Sequence, residues 1–103
     1  MSTVEDKLRS EVQETRWDAL AIHAERGNLI MVSPKLDLLE AALAVAQDRT
    51  QDVETYLSAG LLHKLTEAQI AALDAEENPK FRFVIVQPFV LASRLESNTD
   101  ALN

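Results

Sequence analysis

Few side chains in this sequence are of types that do chemistry, and their spacing decides which chemistry is open to them. Asp37 and Glu40 stand three residues apart, which puts both carboxylates on one helix face. With Asp48 and a histidine such as His23 they form an oxygen-rich set of the kind a hard divalent ion takes. They are equally a carboxylate pair whose pKa values could split for acid–base work. The competing explanation needs no ligand: both acids fall in the first turns of a helix, where the dipole favours negative charge. His23 and His63 are the two imidazoles, and neither has a second histidine at zinc-site spacing. His23 lies beside an apolar helix face and His63 alternates with Leu62 and Lys64, so they read as a boundary residue and a solvated strand residue. Ser33 precedes Pro34 at a helix start, which suits a cap better than a nucleophile. No Gly-x-Ser-x-Gly elbow is present. Gly27 and Gly60 are the only glycines, too few for a phosphate cradle. No cofactor is expected.

The balance of charge narrows the classes further. The 103 residues carry 10 Lys and Arg against 17 Asp and Glu, a net charge of −7. No two basic residues are adjacent, so the stripe that nucleic acid or an anionic membrane requires is missing. The acids at Glu67, Asp74, Glu76 and Glu77 read as the solvated face and end of a helix, with a docking patch as the lesser alternative. Absence of cysteine removes disulfides and thiolate metal sites and fits a reducing cytoplasm. Residues Met1 to Ser10 are polar, unlike a secretory signal. The longest apolar run, Phe83 to Ala92, is broken by Gln87 and Pro88 and is far short of the ~20 residues of a membrane helix.

The elements that must position these residues follow from periodicity. Val4, Leu8 and Val12 predict a first helix over residues 4–14. Thr15 is the expected cap of a second, whose apolar face is Trp17, Leu20, Ala21 and Ala24 and which Gly27 ends. Leu29 to Val32 predicts a buried strand. Ser33 then caps a third helix, Pro34 to Ala46, apolar almost all round, and such a helix is enclosed on several sides. In so small a chain the enclosure calls for a second subunit. Asp48 or Thr50 caps a fourth helix with Val53, Tyr56 and Leu57. Gly60 ends it, and Leu61 to Leu65 follows as an edge strand. Thr66 and Gln69 form a capping box for the fifth helix, with Leu65 and Ile70 placed as a staple. Asn78-Pro79 breaks that helix. Phe81 to Val86 is apolar on both faces apart from Arg82, which predicts a central strand covered twice. Pro88 interrupts it, and Phe89 to Ala92 continues beyond a bulge. A helix–Gly–strand–cap–helix pattern occurs around both Gly27 and Gly60, which chance similarity of two capped helices explains.

Three segments have a familiar form. Leu36-Asp37-Leu38 opens an Ala-rich helix that closes at Asp48; Ala59-Gly60-Leu61 leads into Leu65-Thr66; Val84-Ile85-Val86 runs into Pro88-Phe89-Val90-Leu91. Over about residues 8–92 they resemble a family of small uncharacterised bacterial proteins, the domain of unknown function numbered two-two-eight-eight. Phe89 stands where that ending often has Trp. The resemblance implies a bacterial, cytosolic origin and brings no activity, cofactor or catalytic residue.

The expected fold is therefore α+β: a small single domain over residues 1–92, with about five helices packed on both faces of a three-stranded sheet whose C-terminal strand is central. A parallel crossover is the default for the second and third strands if they are neighbours. Residues 93–103 read as a polar, frayed tail. The expected function is a non-catalytic homo-oligomeric or partner-binding protein, the partner being a second copy or another cytosolic protein, with neither nucleic acid nor membrane involved. Trp17, Leu38, Leu39, Val45 and Phe89 are its candidate interface residues. The alternative is a small metal-binding regulator or enzyme built on Asp37, Glu40 and Asp48 with a histidine such as His23.

Overall fold

A computed structural model describes residues 3–95. Five helices and five strands follow one another as α1 (Val4–Glu11), β1 (Gln13–Arg16), α2 (Trp17–Glu25), β2 (Leu29–Val32), α3 (Leu38–Ala46), α4 (Thr50–Ser58), β3 (Leu62–Lys64), α5 (Glu67–Ala75), β4 (Lys80–Val86) and β5 (Phe89–Arg94). The strands form one mixed sheet in the order β1-β4-β5-β2-β3. Every neighbouring pair is antiparallel except β2 with β5.

Side-chain alternation along these strands divides the core in two. Val84, Leu91, Val32 and Leu62 point to the face covered by α1, α3 and α4. Phe81, Val90, Ala92, Leu29 and Met31 point to the other, covered by α2 and α5. There Trp17 meets Phe81 at a ring-centroid distance of 5.9 Å. Helices on both faces explain why β2 and β5 are nearly continuous runs of apolar residues.

The α+β class holds, but the sheet has five strands, not three. One addition is β1, a Gln-Glu-Thr-Arg segment with no apolar pattern, recruited by pairing with β4 and left mostly exposed. It shortens the first helix to Glu11 and takes Thr15 out of the capping role. The start of α2 is satisfied from a distance instead: Trp17 N–H donates to the Pro79 carbonyl (2.9 Å) and Asp18 N–H to Asn78 Oδ1 (3.1 Å). The other addition comes at Pro88. The chain reverses there rather than bulging, and Val86 pairs with Phe89 across a hairpin. That separates β5 from β4 and puts β5, the C-terminal strand, at the centre, with β4 one place out. β3 and β4 are not neighbours, so the parallel pair is β2 with β5.

Caps account for the remaining boundaries. The third helix begins at Leu38, because Asp37 rather than Ser33 caps it, accepting from Glu40 N–H at 3.2 Å. Ser33 Oγ accepts instead from Lys35 N–H. The Thr66–Gln69 capping box of α5 forms in both directions, and β3 is the edge strand expected. β5 takes in Ser93 and Arg94, the first residues read as tail, and Leu95 N–H donates to the Lys80 carbonyl. Residues 96–103 of that tail lie outside the described residues.

The need for a second subunit over α3 is also corrected. Ala41, Ala42 and Ala44 are 0% exposed. The chain's own α1, α4 and sheet enclose them, joining α3 to one cluster with Leu8, Val53, Tyr56 and Val84.

Candidate functional site

Three helices end in one geometry: a left-handed residue just past the last turn, with two backbone N–H groups turned back to the helix carbonyls. At the end of α2, Gly27 (φ +77°) donates to Ala24 and Asn28 to His23. At the end of α4, Gly60 (φ +74°) donates to Leu57 and Leu61 to Tyr56. At the end of α3 the residue is Asp48 (φ +54°), which donates to Val45, while Arg49 donates to Ala44. Asp48 is thus the stop of α3 rather than the cap of α4, whose N-terminus has no side-chain cap.

This turn swings α4 back across the sheet, and Gly60 turns the chain again into β3. Between α3, α4 and the β2–β3–β5 side of the sheet lies a recess of about 590 Å³. Ala44, Leu62 and Leu91 form its buried floor, and Ile30, Val45, Val53 and Phe89 its half-buried walls. Leu57, 51% exposed, stands at the opening. Asp48, Thr50, Glu54, Lys64 and Gln87 make a polar, exposed rim with half-buried His63. His63 Nδ1 lies 3.3 Å from the Lys64 carbonyl oxygen. An apolar floor ringed by a few polar groups, within the ~300–1,000 Å³ of small-molecule sites, is the general form of a ligand pocket.

The residues singled out from the sequence are divided by the fold. Val45, Phe89, Asp48 and His63 come together at the recess. Leu39 packs half-buried against the core beneath α3. Leu38 (6% exposed) and Trp17 (3%) offer a partner almost no surface. Trp17 Nε1 donates to Asp74 Oδ1 at 2.7 Å, which satisfies the one polar atom of the ring. Asp37 and Glu40 mark the start of α3 while Asp48 lies past its end, and His23 is on α2, against the opposite face of the sheet. Among the described residues no three His, Cys, Asp or Glu side chains converge. Val53, Glu54, Leu57 and Lys64 were not singled out from the sequence. The signal available in the sequence was the apolar set Val53, Tyr56 and Leu57 on α4, none of which the fold buries fully.

Away from the recess, Arg94 holds Glu76 in a two-pronged ion pair, Nη1 donating to Oε2 at 3.1 Å and Nη2 to Oε1. That hydrogen bonding lowers the Glu76 pKa from the ordinary glutamate value. No described helix is long and apolar enough to cross a membrane.

Among curated proteins none matches this chain. It is similar to a solved structure, the solution NMR structure of PA1075 from Pseudomonas aeruginosa, with 31% identity and a TM-score of 0.79 over 100% of this chain and 94% of that one. The family model described as "Protein of unknown function (DUF2288)" matches residues 3–94. That match spans nearly the whole chain, and the chain belongs to that family of proteins of unknown function.

Proposed function

We propose that this protein is a non-catalytic binding module of the bacterial cytoplasm and that its binding site is the recess between α3, α4 and the sheet. The observation that carries this is the recess itself: buried Ala44, Leu62 and Leu91 under half-buried Val45, Val53 and Phe89, ringed by charge. The ground for a binding role thereby moves from the outside of α3, which the chain covers itself, to the space beside it. The groups on the rim are suited to holding a ligand by charge and hydrogen bonds. The metal-site alternative loses support, since Asp48 stands at the far end of α3 from Asp37 and Glu40.

Self-association across the same face is the second reading, and Leu57 favours it. A leucine half exposed at the lip of an apolar recess is the kind of residue a second copy or another protein would cover.

The test is binding of the apolar dye anilinonaphthalene sulfonate to the native protein, followed by amide NMR shifts. Shifts are expected at Val45, Val53, Leu57, Leu62 and Phe89. Val53→Trp should fill the space and abolish them with the melting temperature kept. Shifts confined to another surface, or untouched by Val53→Trp, would refute the assignment.

A further inference from the structure

The rim of the recess carries charges of both signs that are not spent on one another. The ion pairs among the described residues are Glu5–Arg9, Glu14–Arg82 and Glu76–Arg94. Asp48, Glu54 and Lys64, all exposed on the rim, take part in none of them. Each remains available to a charged group of opposite sign.

Asp48 adds a second observation. The other two helix ends of its geometry use glycine, the residue with no penalty for a positive φ. At the end that borders the recess the position is held by a carboxylate instead. Asp is among the residues that tolerate this conformation, though less readily than Gly. What it brings that glycine cannot is a negative group beside an apolar wall.

We propose that the recess takes a small apolar zwitterion, an aliphatic or aromatic α-amino acid or its dipeptide. Resting on the recess as the binding site, the assignment gives each rim charge one partner. Lys64 holds the ligand carboxylate, Asp48 and Glu54 hold its ammonium, and the apolar side chains lie against Val45, Val53, Leu57 and Phe89. A purely apolar ligand would leave all three charges without a partner. A simple carboxylic acid would set its charge beside two others of the same sign.

Amide NMR titration of the full chain with dileucine, N-acetyl-dileucine and dileucine amide tests this. Dileucine should shift the recess amides. Each blocked form should bind about tenfold more weakly, the scale of one lost charge-assisted hydrogen bond. Lys64→Gln should weaken dileucine and N-acetyl-dileucine but not the amide. Glu54→Gln should weaken dileucine and the amide but not the acetylated form. Because the three ligands are compared on the same wild-type protein, a variant that folds poorly does not decide the result. Equal binding of all three, or dye binding in the recess without dileucine binding, overturns the zwitterion and leaves the recess a binding site. Absence of both dye and dileucine from the recess overturns the two together.

Discussion

Asn78 holds a left-handed backbone (φ +52°) and accepts from the N–H of Asp18, 60 positions away in sequence. It therefore serves as the cap that Arg16, at the formal start of α2, has no side-chain bond to provide. Asn78→Ala removes the acceptor, about 1 kcal/mol for a cap. It also forces a Cβ-bearing residue without a polar side chain into the left-handed region, about another 1 kcal/mol. Together these should lower the melting temperature by roughly 10 °C, since ~1 kcal/mol shifts a domain of this size by ~4–8 °C. Asn78→Gly, which relieves the backbone, should recover part of the loss. Equal melting temperatures for wild type and Asn78→Ala would show that α2 does not depend on this bond. Here the sequence was legible in kind and not in connection: Asn78-Pro79 announced a break, while the helix start it serves lies at the other end of the chain.

At the scale of elements, local signals were right where the chain satisfies itself. The Thr66–Gln69 box and the Gly27 and Gly60 stops are present, because neighbours in sequence supply the bonds. The Leu29–Val32 strand is present too, legible from its unbroken apolar run although its bonds come from β3 and β5. What was missed depends on partners brought from afar. β1 has no apolar alternation and is a strand because β4 pairs with it. The last strand runs beyond Ala92 to Arg94, where the Glu76 carboxylate at the end of α5 receives the guanidinium. This tie has a pH signature. The folded-state pKa of Glu76 is lowered from 4.5, so its contribution is present above that value and fades as pH falls through the folded-state pKa. Melting curves of wild type and Glu76→Gln should differ near neutral pH and converge as the pH falls through the lowered folded-state pKa of Glu76, below which both side chains are uncharged. A difference that stays constant across that range would mean the ion pair does not act.

For the whole molecule, the decisive correction concerns α3. Its apolar circumference was plain in the sequence, and so was its need for enclosure. Which surfaces would enclose it was not, because α1 and α4 look individually too narrow and too polar to do so. With α3 covered inside one chain, light scattering on a sizing column is expected to show a monomer for both wild type and Leu57→Glu. A dimer that Leu57→Glu dissolves would assign the recess to self-association instead. The candidate site was half legible for the same reason. Val45, Phe89 and Asp48 could be named singly, but the recess exists only once α4 is laid back over the sheet.

The position of β5 bears on how the protein is made. It is the strand that joins β4 on one side to β2 on the other, and without it the sheet falls into two separate pairs. It is also the last of the strands to leave the ribosome, and it contributes Leu91 to one core and Val90 and Ala92 to the other. A nascent chain halted before Phe89 therefore holds two unjoined strand pairs with apolar faces bare. Folding of this sheet has to wait until Phe89–Arg94 has been made, and a chain cut short before it is an aggregation-prone fragment rather than a smaller working domain.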